Sequence, residues 1–99
     1  MRMVLKAQIP VEAGNEAIRN GTMSKVIESA LESIKPEAAY FTTDDGYRTA
    51  FLYFDMQDSS QMPVVAESFF LDMNANVTIK PVMNTDDLRK GLKAMQGGI

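Results

Sequence analysis

The sequence contains no cysteine and no histidine. The first absence removes disulfides, thiolate nucleophiles and thiolate metal ligands. The second removes the usual imidazole base and the commonest metal and haem ligand. A Ser-His-Asp triad, its Cys-His variants, a His-ligated zinc and a His-ligated haem are therefore all excluded. Carboxylates, Lys, Tyr, Arg and backbone groups are what remains for any catalysis, and no cofactor is expected.

Long apolar runs are also missing. No stretch approaches the ~20 residues of a membrane span, and "MRMVLKAQIPVEAG" is too short and too polar for a signal peptide, so a soluble, cytoplasmic protein is expected. The ten Lys and Arg are scattered and the net charge is -3, which leaves no basic stripe for nucleic acid. With 99 residues, 45% hydrophobic and 23% charged, the chain has the size of one domain with one modest core, ending in a flexible "QGGI" from about residue 96. A chain this short buries a small fraction of its surface, and a partner surface is a natural way to complete the core.

The pattern of what is present is mixed. "MRMVLKAQIP" alternates, with Met3, Leu5, Ala7 and Ile9 on one side and Val4, Lys6 and Gln8 on the other, and reads as a strand closed by Pro10. From about Val11 to Ile34 the period lengthens, with Met23, Ile27, Ala30, Leu31 and Ile34 as a helical stripe extended backwards by Ala17, Ile18 and Gly21. One long helix is expected, with a soft spot at Asn20-Gly21, where Gly costs roughly 1 kcal/mol relative to Ala. Lys35-Pro36 ends it.

Two strands follow around "DDG". If Asp45-Gly46 forms a two-residue loop, Tyr40 faces Phe51, Ala38 faces Tyr53 and Thr42 faces Thr49 on one side, while Ala39, Phe41, Ala50, Leu52 and Phe54 collect on the other. A helix to about Asn74 carries the stripe Met62, Val65, Ala66, Phe69 and Met73, with Pro63 in its first turn. "ANVTIKPVM" is a fourth strand, placed at an edge by Pro81. "NTDDLRKGL" opens a short helix capped by Asn84 or Thr85 and expected to pack down through Leu88, Leu92 and Met95.

The order strand, helix, strand, strand, helix, strand, short helix is the split β-α-β arrangement of the ferredoxin-like α+β fold, with a four-stranded antiparallel sheet covered by helices on one face. The second face would carry Val4, Lys6, Gln8, Tyr40, Thr42, Thr49, Phe51, Tyr53, Asp55, Thr78, Lys80 and Val82. Such a set is too aromatic to leave in water and too polar for a dry core, which a second subunit would explain.

On this order and half-polar face the chain resembles the dimeric α+β barrel superfamily. "PEAAYFTTDDGYRTAFLYFDM", "AESFFLDMNANV" and "PVMNTDDLRKGL" are similar to a small bacterial domain-of-unknown-function family within it, over roughly Glu16 to Leu92. Enzymes elsewhere in the superfamily include cofactor-independent monooxygenases, haem-degrading and chlorite-processing enzymes and lactone isomerases, many with His-dependent sites. Stress-responsive barrels and ligand-sensing domains are also members. The resemblance implies a fold and a homodimer.

Lys6, Gln8, Tyr40, Tyr53, Asp55 and Lys80 are candidate ligand-binding residues of a lumen between two such faces, with the Lys pair attracting an acidic or phenolate ligand. The plainer reading makes the Tyr rings interface core and pairs Lys6, Lys80 and Asp55 with one another. Arg48 is either an anion clamp or, more simply, a salt bridge to Asp44 or Asp45 at the hairpin tip. For an enzyme, Tyr53 and Glu67 are the candidate proton-transfer groups, Glu67 standing beside Phe69 and Phe70. "NTDDL" lacks the spaced ligands of a calcium loop, and the eight Met residues read as adaptable core, so no metal site is expected. The leading expectation is a homodimer that binds a small organic ligand between its sheets. A cofactor-free isomerase or monooxygenase and a purely structural oligomerisation module are the alternatives.

Overall fold

The computed structural model describes residues 1–97. In chain order it contains strand β1 (Arg2–Ile9), helices α1 (Val11–Asn20) and α2 (Thr22–Ile34), strands β2 (Ala38–Asp44) and β3 (Tyr47–Asp55), a 3-10 turn (Ser59–Gln61), helix α3 (Met62–Met73), strand β4 (Asn76–Pro81) and helix α4 (Thr85–Gln96). The strands form one antiparallel sheet in the order β2-β3-β1-β4. The expected end of the chain is helical as far as Gln96, and Gly98 and Ile99 lie outside the described residues.

The β2-β3 hairpin sets the register for the whole sheet. Asp45 and Gly46 both have positive φ, 53° and 81°, as a two-residue turn matched to strand twist requires. Asp44 consequently pairs with Tyr47, Tyr40 with Phe51 and Ala38 with Tyr53, as the two-residue reading of "DDG" anticipates. β1 then pairs Lys6 with Phe51 and Val4 with Tyr53 on one side, and Lys6 with Thr78 and Val4 with Lys80 on the other. Side chains alternate across a strand, so this register alone separates the two faces.

One face makes the core. Leu5, Ala7, Leu52 and Phe54 from the sheet meet Val26, Ala30 and Ile34 of α2 and Val65, Phe69 and Met73 of α3, all buried. Expectation and structure part at three places. The single long helix is two helices, because Gly21 takes a left-handed conformation (φ 79°) and serves both as the C-cap of α1 and as the residue entering α2. Asn20 Oδ1 accepts the backbone N–H of Thr22 at 2.9 Å, so a side chain replaces the broken helical ladder. Rotation at this break places Val26 in the core and leaves Ile18 56% exposed.

The second difference is Met62, which sits at the start of α3 and is exposed, while the rest of that stripe is buried. The third is α4. A complete capping box between Asn84 and Asp87 starts it, yet none of its residues is buried, and Leu88, Leu92 and Met95 stand exposed. The helix projects from the sheet and contributes to an elongated outline of 56 × 27 × 18 Å.

Phe69 is fully buried and its neighbour Phe70 is 43% exposed, so these adjacent rings separate packing from composition. Phe69→Ala is expected to lower unfolding free energy by about 3–5 kcal/mol, whereas Phe70→Ala costs well under half as much. Urea denaturation of the two variants measures the difference.

Candidate functional site

Among the described residues no helix packs over the second face of the sheet. Its side chains fall into rows running across all four strands in the order β4, β1, β3, β2. One row is Lys80, Val4, Tyr53, Ala38; the next is Thr78, Lys6, Phe51, Tyr40; a third is Asn76, Gln8, Thr49, Thr42. Seven of the candidate residues can therefore be placed. Lys6, Gln8, Tyr40, Tyr53, Asp55 and Lys80 share this face, and Arg48, on the opposite parity, lies on the helix side.

The interior of the face is partly organised by its own contacts. Tyr40 and Tyr53 meet edge to face, with ring centroids 6.4 Å apart and planes at 74°. Lys6 Nζ lies 5.7 Å from the centroid of Phe51 and 2.8 Å from Asp44 Oδ2. Gln8 Nε2 donates to the carbonyl of Asp44 at 3.5 Å. The ammonium of Lys6 is thus balanced at the hairpin end by Asp44, one of the two carboxylates, Asp44 or Asp45, expected to pair with Arg48 at the tip. Lys80 makes no ion pair among the described residues, and neither phenol hydroxyl hydrogen-bonds to them. Lys80 and Tyr53 are two strand spacings apart, about 10 Å, with Val4 between them.

Asp55 stands at the opposite end from the hairpin. Its Oδ1 accepts from the Met1 ammonium at 2.8 Å and its Oδ2 from Gln57 Nε2 at 3.2 Å. The ammonium first, and Gln57 next, hold its carboxyl below the ordinary carboxylate value. The expected pairing of Asp55 with Lys6 or Lys80 is therefore replaced by contacts within its own edge. Beside it, Arg2 Nε donates to Glu37 Oε1 at 2.7 Å and Arg2 Nη1 lies 3.5 Å from Asp87 Oδ2, a contact between the sheet and α4. These groups border an open concavity of about 760 Å³.

The two candidate proton-transfer residues are not brought together. Tyr53 is on the open sheet face, and Glu67 is an exposed residue of α3 on the helix side, near Phe70, Val77 and Ile79. Among the described residues no three acidic side chains cluster closely enough to hold a metal ion, and no helix is long and apolar enough to cross a membrane.

Arg48 shows what the sequence pattern could not supply. Its Nη2 donates to Asn15 Oδ1 at 3.1 Å, and its Nη1 occupies space that a Cβ on Gly14 would enter at 2.5 Å. Gly14 and Asn15 precede Arg48 by more than thirty residues and belong to a different element, so no local motif announces the contact. A search against known proteins finds no family model, no curated protein and no solved structure that matches the chain.

The carboxylates carry a testable acid dependence. Asp58, which caps the 3-10 turn, is also held below the ordinary value by hydrogen bonds from Ser60, as Asp55 is by the ammonium and Gln57. A depressed folded-state pKa adds stability that is complete above the unfolded carboxylate value of about 4 and is lost as pH falls through the folded value. The double variant Asp55→Asn with Asp58→Asn is expected to be less stable than the parent at neutral pH. Its deficit should shrink steadily as denaturation midpoints are measured at lower pH.

Proposed function

We propose that the protein is a homodimer built by apposition of two open sheet faces, a ferredoxin-like dimeric α+β barrel, and that it binds a small acidic organic ligand between them. The observation that carries this reading is the face itself: Tyr40, 65% exposed, and the flanking Phe51 and Tyr53 stand over a sheet whose other side carries the helices and the buried core. Aromatic side chains with a polar margin are the composition of a protein interface. The element order and the sheet order β2-β3-β1-β4 support the barrel assignment.

The sheet face alone is smaller than a standard interface, and α4 offers the further apolar surface. Four strands at about 4.8 Å spacing and a rise of about 3.4 Å per residue make the paired face roughly 20 Å square. That is about 400 Å² in projection, against the ~800 Å² per partner of a standard stable interface. The apolar stripe of α4 is the surface that adds to it. A helix of 12 residues with few tertiary contacts is marginal in water, so covering Leu88, Leu92 and Met95 by a partner would stabilise it.

Within the apposed faces Lys80 supplies the charge for an anionic group, and the phenols of Tyr40 and Tyr53, together with Gln8, supply orientation. Lys6 is the less available cation because Asp44 already neutralises it. An isomerase or oxygenase reading has Tyr53 alone at this face, since Glu67 is separated from it by the sheet.

Light scattering is expected to give twice the chain mass of 11.0 kDa at micromolar concentration. Tyr40→Asp is expected to yield the monomer mass with the circular dichroism of the sheet retained, and a chain ending at Met83 should dimerise more weakly than the full chain. A parent protein that scatters as a monomer at these concentrations would sink the proposal.

A further inference from the structure

A second concavity lies on the helix side of the sheet, where α1 and α2 diverge at Gly21 and leave the hairpin end of the core incompletely covered. Its volume is about 410 Å³, within the span of small-molecule sites, and Ile18, Met23, Ile27, Phe41 and Ala50 line it. Ile18 and Phe41 are each more than half exposed, so apolar surface is presented to solvent on both walls. Arg48 is the one charged residue of the lining.

The state of Arg48 makes this groove more than an unfilled corner. Its guanidinium is partly buried and has no carboxylate within ion-pair distance among the described residues. Asn15 takes one N–H and is neutral, and Gly14, by lacking a Cβ, lets the guanidinium lie against α1. A cation held this way, at the side of an apolar groove, has unused donors in the planar fork that matches a carboxylate. Partial burial also makes a counter-charge more favourable there than in open water.

We propose that this groove binds a small amphipathic carboxylate, with its anionic head on Arg48 and its hydrocarbon against Ile18, Ile27 and Phe41. The site opens on the helix side, shares only the edge residues Thr42 and Thr49 with the open sheet face, and does not depend on the homodimer reading. Apolar walls and a single cation select against neutral polar molecules and against dianions, so a monocarboxylate with a short hydrocarbon tail is the class that fits both features.

Sodium octanoate, titrated into the isotope-labelled full chain and followed by amide chemical shifts, tests the proposal. Saturable shifts are expected at Ile18, Met23, Ile27, Phe41 and Ala50, with 1-octanol binding more weakly. Arg48→Gln is expected to weaken octanoate binding about tenfold or more, the effect of losing a charge-assisted pair, and to erase its advantage over 1-octanol. Arg48→Lys should retain part of that advantage. Ile18→Glu, at an exposed helix position, offers a variant that spares the strand and should repel octanoate through its own charge. The proposal is overturned if octanoate produces no saturable shifts, if Arg48→Gln binds it as well as the parent, or if the shifts gather at Tyr40, Phe51 and Tyr53 instead. It is equally overturned if the groove amides move on dilution and are unaffected by octanoate, because the occupant would then be another copy of the chain.

Discussion

The structure depends on one constraint: a four-stranded antiparallel sheet whose side chains alternate strictly, with helices available for only one of its faces. Leu5, Leu52 and Phe54 point to the helices and are excluded from water. By the same alternation Lys6, Phe51 and Tyr53 must point the other way. A slip of one residue in any strand would exchange the two sets, so core packing and the composition of the open face are enforced together. The hairpin turn is where that register is chosen, and the positive φ of Asp45 and Gly46 ties the chemistry of the open face to two adjacent turn residues.

Local signals made much of this legible. The alternation of β1 and the "DDG" turn were enough to place Tyr40 opposite Phe51 and Ala38 opposite Tyr53, because both signals act over two or three residues and point to the same register. The break at Gly21 was harder to read. An interior glycine and a C-cap glycine look alike until the side chain of Asn20 is seen to take over from the helical ladder. The stripe of α4 was legible as an amphipathic helix, but periodicity says only that a helix has an apolar side, and among the described residues none of its side chains is buried.

Charged positions were the least legible. Asp44 lies close in sequence to Arg48, and short separation favoured a hairpin-tip pair. In the folded sheet Lys6 of β1 reaches across β3 to Asp44 at the end of β2, while parity turns Arg48 toward α1. Asp55 likewise finds its partners at its own strand end. These pairings are set by strand order and helix placement, so the residue types alone leave several combinations of comparable Coulomb energy. What the fold leaves over is informative: among the described residues Lys80 and the phenols of Tyr40 and Tyr53 on one face have no ion-pair or hydrogen-bond partner, and Arg48 on the other has only the neutral Asn15.

A homodimer through the open face is the central claim, and contact between identical faces tests it most directly. In a sample mixed from isotope-labelled and unlabelled chains, filtered nuclear Overhauser spectra report only contacts between copies. A dimer through the open face requires such contacts from the rings of Tyr40, Phe51 and Tyr53 to residues of the same face. Contacts confined to α4, or to the helix side of the sheet, would contradict it.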